Sequence, residues 1–184
     1  TTITTVLLAV VAMTAAPDDT DSLMDVLNRT LSERAVFIRQ KSACIDSLRR
    51  IVDSKRNYEE RYDALQSLFD AYYNYSSDSA LNVAEEREEL ARRMNDHPRQ
   101  TNARMNQASV LAMTGMYKET LDIMDSLRLG HDERYLRPYY FYIMMTLYGN
   151  MTDYATRPLD RERYAALTLS LIHISEPTRH LRIS

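Results

Sequence analysis

Residues 103–127, ARMNQASVLAMTGMYKETLDIMDSL, decide the fold. Two stretches with apolar residues at helical spacing flank Thr114-Gly115, and the chain has already used the same arrangement once. Sliding the sequence by 40 residues lays Leu68 on Ala108, Ala71 on Leu111, Tyr75 on Gly115, Ala80 on Thr120, Leu81 on Leu121 and Ala84 on Met124. Each unit is a helix, a turn and a second helix. A unit of that size cannot cover its own apolar face and must stack on its neighbour, so a period of about 40 predicts an α-solenoid.

Working outward, the first copy is NYEERYDALQSLFDAYYNYSSDSALNVAEEREELARRMNDHP, residues 57–98. Tyr58, Tyr62, Leu65, Leu68, Phe69 and Tyr72 form an i, i+3, i+4 stripe in its first half, and Leu81, Ala84 and Leu90 face inward in its second. Ser76-Ser77-Asp78 supplies N-cap chemistry for the second helix, and Asp96 with Pro98 does so for the helix after it. A third hairpin begins at RYLRPYYFYIMMTLYGNMTDYA, residues 134–155, with Pro138 in a first turn and Tyr139, Tyr142, Met145 and Tyr148 at helical spacing. Its second helix is expected to start near Leu159-Asp160-Arg161. Before the hairpins, Met24, Leu31, Ile38, Ile45 and Val52 recur every seven residues with Leu27 and Leu48 on the same face, which predicts one long helix. Arg34 and Lys41 interrupt that seam, so the helix is expected to lie along the rest of the domain, with pairing to a second copy as the alternative.

Composition agrees. The 184 residues include only three glycines and five prolines, too few breakers for a many-turned β fold. A net charge of -3 with both signs interspersed gives no basic footprint for nucleic acid. Cys44 is the only cysteine, which excludes an internal disulfide and a thiolate zinc cluster; a buried position on a helix is expected for it.

The two ends read differently from the middle. The apolar run Val6–Met13, the small residues to Ala16 and then Pro17-Asp18-Asp19 have the layout of a secretory signal peptide, expected over residues 1–16 and too short to span a bilayer. Leu169–Arg179, LSLIHISEPTR, resembles the translation of a transposase adapter used in sequencing libraries, so residues 169–184 are expected to be a non-native tail. On that expectation the repeat domain covers residues 18–168 and is cut inside its third hairpin, and His173 and His180 carry no functional weight.

The polar clusters in between are weak sites. Glu85, Glu86, Glu88 and Glu89 read as a solvated helix face, with Arg92 and Arg93 offering i, i+4 pairs. His131-Asp132-Glu133 are adjacent in a loop, which fixes no coordination geometry, so no metal and no cofactor are expected. Tyr139, Tyr140 and Tyr142 form either a stacking platform or aromatic core, and core packing is the expectation. Met105, Met113, Met116, Met124, Met144 and Met145 read as inter-helix filler before an adaptable groove. With no nucleophile beside a base and no phosphate-cradling glycine loop, an enzyme is not expected.

TGMYKETLDIM, residues 114–124, resembles the G-x-Y-x-x-A-L core of a tetratricopeptide repeat. The resemblance implies an all-α, right-handed solenoid of helical hairpins preceded by a long N-terminal helix, with Gly115, Tyr117, Thr120 and Leu121 as its defining structural positions. It departs from the family in having Thr120 for Ala, a longer period, and Tyr75 where the first hairpin should have Gly. In that register Tyr62, Leu65, Phe69 and Tyr72, with Asn102, Met105, Ser109 and Ala112, fall on inner helices and are the candidate peptide-binding residues of a concave face. Residues from about 20 to 160, including LNRTLSERAVFIRQKSACIDSLRRIV, also resemble the N-terminal region of a family of uncharacterised Bacteroidota proteins. That resemblance implies the periplasmic, non-catalytic sensor or interaction part of a membrane-anchored transcriptional regulator. Its partner is then a protein, a peptide or a second copy, with no nucleic acid held by this region and the membrane reached only through a later segment. The alternative is a freestanding exported scaffold.

Overall fold

A computed structural model describes residues 19–131 and 133–175. The chain divides into two compact units, Thr1–Ala43 and Cys44–Ser184. The expected signal peptide lies outside the described residues, as do residues 176–184 of the expected tail.

The described part of the first unit is wholly helical. It belongs to α1, Asp19–Ser54, whose last turns continue into the second unit. There Ile45 and Val52, two members of the seven-residue seam, are buried in the core. Cys44 departs from expectation and is exposed. Its neighbour Ile45 takes the buried face, and a residue one position away is turned by about 100° on a helix.

The second unit continues as α2 (Tyr58–Tyr73), α3 (Ser77–Arg93), α4 (His97–Met113), α5 (Tyr117–Ser126), a 3-10 turn (Arg134–Leu136), α6 (Arg137–Tyr154) and α7 (Pro158–Ser175). Among the described residues there is no strand. First helices begin at Tyr58, His97 and Arg137 and second helices at Ser77, Tyr117 and Pro158, giving steps of 39, 40, 40 and 41 residues. The repeat seen in the sequence is therefore the spatial repeat, and the fold is an all-α solenoid of three hairpins. Helix α7 runs through Thr168 and Leu169 without a break.

Caps begin the helices as their residues dictate. Asn57 accepts from Glu59 N–H at 2.8 Å, Ser76 from Ser79 N–H at 3.4 Å and Asp96 from Arg99 N–H at 3.0 Å. Two helix ends turn through the left-handed region, Asn95 at φ 53° after α3 and Gly115 at φ 83° after α4. In both, the N–H one residue on bonds back five residues, Asp96 to Ala91 O and Met116 to Leu111 O, each at 3.0 Å. The α2–α3 turn closes otherwise: Tyr75 and Ser76 N–H both reach Tyr72 O, and no residue there takes a positive φ. Tyr75 thus stands where glycine was expected because this turn asks nothing of glycine.

Helix α4 is shared between two clusters of buried residues. Ala103 and Val110 join the core of the first hairpin with Leu65, Phe69, Ala84 and Leu90. Met105, Ala108 and Ala112 join the second, with Met124, Ile143 and Leu147. Thr120 is fully buried, and its hydroxyl is satisfied by Met116 O at 2.8 Å, which lets Thr occupy the small-residue position. Tyr117 and Leu121 pack partly against the second cluster. The inward residues of α6 are Ile143, Met144 and Leu147, and Tyr142 from the expected stripe is exposed. Of the methionines, Met105, Met124 and Met144 are buried filler, while Met113 and Met116 are exposed.

Candidate functional site

The first helices of the three hairpins, α2, α4 and α6, border an open groove of about 390 Å³. Helix α2 contributes Gln66, Phe69, Asp70 and Tyr73, α4 contributes Asn102 and Asn106, and α6 contributes Tyr139 and Tyr142. These positions follow from helical spacing: 66, 69, 70 and 73 share one face of α2, 102 and 106 are one turn apart on α4, and 139 and 142 nearly so on α6.

Four of the eight are aromatic. Phe69 and Tyr73 lie tilted at 5.5 Å between ring centroids, and Tyr139 and Tyr142 stack at 6.4 Å. The groove therefore offers ring faces on two walls and planar amides between them. Gln66 Nε2 donates to Asp70 Oδ1 at 2.7 Å, which fixes the one carboxylate of the lining.

The amides are oriented from beneath. Asn102 Oδ1 accepts from Arg87 Nη2 at 3.2 Å and lies 3.3 Å from the Tyr62 hydroxyl. Because a guanidinium only donates, this contact identifies the oxygen and leaves the Asn102 NH2 to face elsewhere. The Tyr139 hydroxyl lies 3.0 Å from Asn106 Oδ1 and 3.1 Å from Ser109 Oγ, and Asn106 Nδ2 is buried with no partner among the described residues. An unmet buried donor costs about 1–3 kcal/mol, a cost carried here beside the groove.

Beneath the groove Arg87 is buried, its guanidinium 4.2 Å from the Tyr62 ring centroid. Its Nε and Nη1 have no hydrogen-bond partner among the described residues. Burial lowers its pKa, opposed by the fields of Tyr62 and Asp70. Burial also pushes the Tyr62 and Tyr139 phenols up to about 12, against the pull of Arg87 and Arg99 on Tyr62 and of the Ser109 bond on Tyr139. Both phenols stay neutral donors across physiological pH.

Of the candidate residues from sequence, Phe69 and Asn102 line the groove. Tyr62 lies against Asn102 and gives its one hydroxyl proton to Arg99 O at 2.8 Å. Ser109 is buried behind Tyr139. Leu65, Tyr72, Met105 and Ala112 sit in the cores. Sequence reasoning missed Gln66, Asp70, Tyr73 and Asn106 as lining, and weighed Tyr139 and Tyr142 toward core packing. The repeat itself carried a signal for one of them, since a 40-residue step relates the candidate Asn102 to Tyr142.

The other polar clusters serve the fold. Glu86 pairs with Arg61 of α2 at 2.7 Å and Glu88 accepts from Gln107 of α4 at 2.7 Å, so the acidic run ties α3 to its neighbours on both sides. Glu89 pairs with Arg92 and Arg93. Glu133 is buried and accepts from Gly130 N–H at 2.8 Å and Thr101 Oγ1 at 2.7 Å, with His97 Nδ1 at 3.0 Å. Among the described residues no group of His, Cys, Asp and Glu is placed to hold a metal, and no helix is long and apolar enough to cross a membrane.

Residues 31–177 match the family described as the SusR N-terminal TPR domain. No curated protein and no solved structure matches the chain.

Proposed function

The chain belongs to the SusR N-terminal TPR domain family, and on that premise we propose that the groove between α2, α4 and α6 is the recognition surface of the exported sensor part of a membrane-anchored transcriptional regulator. Domains of the tetratricopeptide type commonly mediate protein–protein interaction and are generally non-catalytic scaffolds. The observation that carries the assignment is the pair of asparagines on α4, Asn102 and Asn106, whose oxygens are held by Arg87 and Tyr139 and which lie in the groove lining between the aromatic residues of α2 and α6. An extended polypeptide supplies what this lining lacks: backbone carbonyls spaced along a strand to accept from the amides, and side chains to lie on the rings.

Two measurements test it. A random-peptide library panned against the full chain, with the Asn102→Ala, Asn106→Ala chain as counter-selection, should enrich peptides that the doubly substituted chain does not hold. Failure to enrich any, or equal retention by both chains, overturns the groove assignment. Alkaline phosphatase fused behind Thr168 should be active in cells if the segment is exported, and inactive fusion protein of full length overturns the export assignment.

A further inference from the structure

The described part of the first unit carries an apolar stripe that none of the described residues covers. Every residue from Ser22 to Gln40 is exposed, including Leu23, Met24, Leu27, Leu31, Phe37 and Ile38. These are not scattered. Leu23-Met24, Thr30-Leu31 and Phe37-Ile38 repeat every seven residues in the same phase as Cys44-Ile45 and Ile51-Val52, and the second member of each of those later pairs is buried in the core. A seven-residue repeat keeps one seam on one side of a helix, so the exposed half of α1 is built to the same pattern as the half that is covered. Helices draw most of their stability from packing an amphipathic face rather than from propensity, and a stripe of this length calls for a cover.

The charges say which cover. The sequence places Asp19, Asp21 and Asp25 in the first seven residues of α1, then Arg29, Arg34, Arg39 and Lys41 over the next turns, with Glu33 the one acid among them. Aspartates suit a helix N-terminus, but the basic run lies mid-helix, where the helix dipole gives it no role. A parallel partner would set aspartate against aspartate and Arg34 and Lys41, which interrupt the seam, against their own copies. An antiparallel partner sets each acidic end against the other's basic stretch. We propose that residues 19–43 pair antiparallel with the same segment of a second copy of this chain.

The test is the mass of the full chain in solution across a concentration series, with circular dichroism confirming that each variant keeps its helix. The unaltered chain should dimerise, and Leu31→Asp with Ile38→Asp should raise the dissociation constant at least tenfold. Reversing the acids alone (Asp19→Lys, Asp21→Lys, Asp25→Lys) or the bases alone (Arg34→Glu, Arg39→Glu, Lys41→Glu) should also weaken the dimer. Reversing both sets in one chain should restore it, because only antiparallel pairing is again self-complementary. A chain that stays monomeric, a dimer that survives the two aspartates in the seam, or one indifferent to the charge reversals overturns the proposal.

Discussion

Arg87 is a buried cation whose partners do not balance it. Among the described residues only Nη2 finds an oxygen, and the remaining stabilisation comes from the Tyr62 ring and the fields of Asp70 and Asp63. Removing a charge of this kind while keeping its volume is often neutral or favourable. Arg87→Met is therefore expected to leave the unfolding free energy within about 1 kcal/mol of the parent, or to raise it, in thermal or urea denaturation. A loss of more than about 3 kcal/mol, the scale of breaking a buried pair, would show the guanidinium to be well paired after all. The same substitution removes a donor that orients Asn102, so groove binding should fall although stability does not. Glu133 is the opposite case. Burial pushes its carboxyl up, but the bonds from Gly130, Thr101 and His97 outweigh that and hold it below the usual carboxylate range. A depressed folded value means the contribution is fully present above the ordinary carboxylate pKa and is lost as pH falls through the folded value. Glu133→Gln should cost about 1–3 kcal/mol at pH 7, measured by urea denaturation, with the difference from the parent shrinking toward pH 3. Glu133 was legible only as part of an acidic loop, since its three donors come from two separate stretches of chain that nothing local in the sequence brings together.

At the scale of elements the turns separate two kinds of cost. A Cβ built on Gly115 meets nothing within 4 Å, so any penalty there is conformational, set by φ +83°. Gly115→Ala should destabilise by about 1 kcal/mol in chemical denaturation, without disturbing the cores. Asn95, at φ 53° in the equivalent turn, tolerates the left-handed region better than most side chains, and Asn95→Gly should be neutral or slightly stabilising by the same measurement. A cost at Asn95→Gly would mean that its side chain, not its backbone, holds the turn. This is also where the sequence was most readable. Ser76, Asp96, Pro98, Gly115 and Pro138 marked boundaries that the helices obey, because caps and breakers act through the residues beside them. Asn57 was overlooked although it stands before Glu59 and Glu60, a first turn rich in acids. The α6 stripe was misjudged because nearly every residue there is aromatic or apolar, so periodicity could not choose a face.

Across the whole of the second unit, α4 is the wall common to both cores, and this was visible in the sequence only as a repeat. A 40-residue period announces that hairpins stack, but it does not say which small residues stand at the crossings. The concave lining was half legible for the same reason: register placed α2 and α4 inside, while the choice between Leu65 or Met105 and Gln66 or Asn106 depends on how far each helix is rotated, which packing sets. The shared wall has a consequence for cooperativity. In a solenoid whose neighbours meet through weak interfaces, damage to one hairpin leaves the others standing. Here Ala103 faces one core and Ala108 the other, both with no exposed surface, so their helix cannot shift to relieve one side without straining the opposite one. Ala108→Leu adds volume on the side of Met124 and Leu147, and overpacking of that kind costs about 1–3 kcal/mol. The expected result is one unfolding transition, moved as a whole to lower urea, with Tyr62 of the first core and Tyr139 at the edge of the second becoming exposed at the same midpoint. Hydrogen exchange followed by mass spectrometry on α2 and α6 peptides provides the check. If α6 and α7 exchange at lower urea while α2 and α3 keep their protection, the hairpins are independent units and the wall formed by α4 does not couple them.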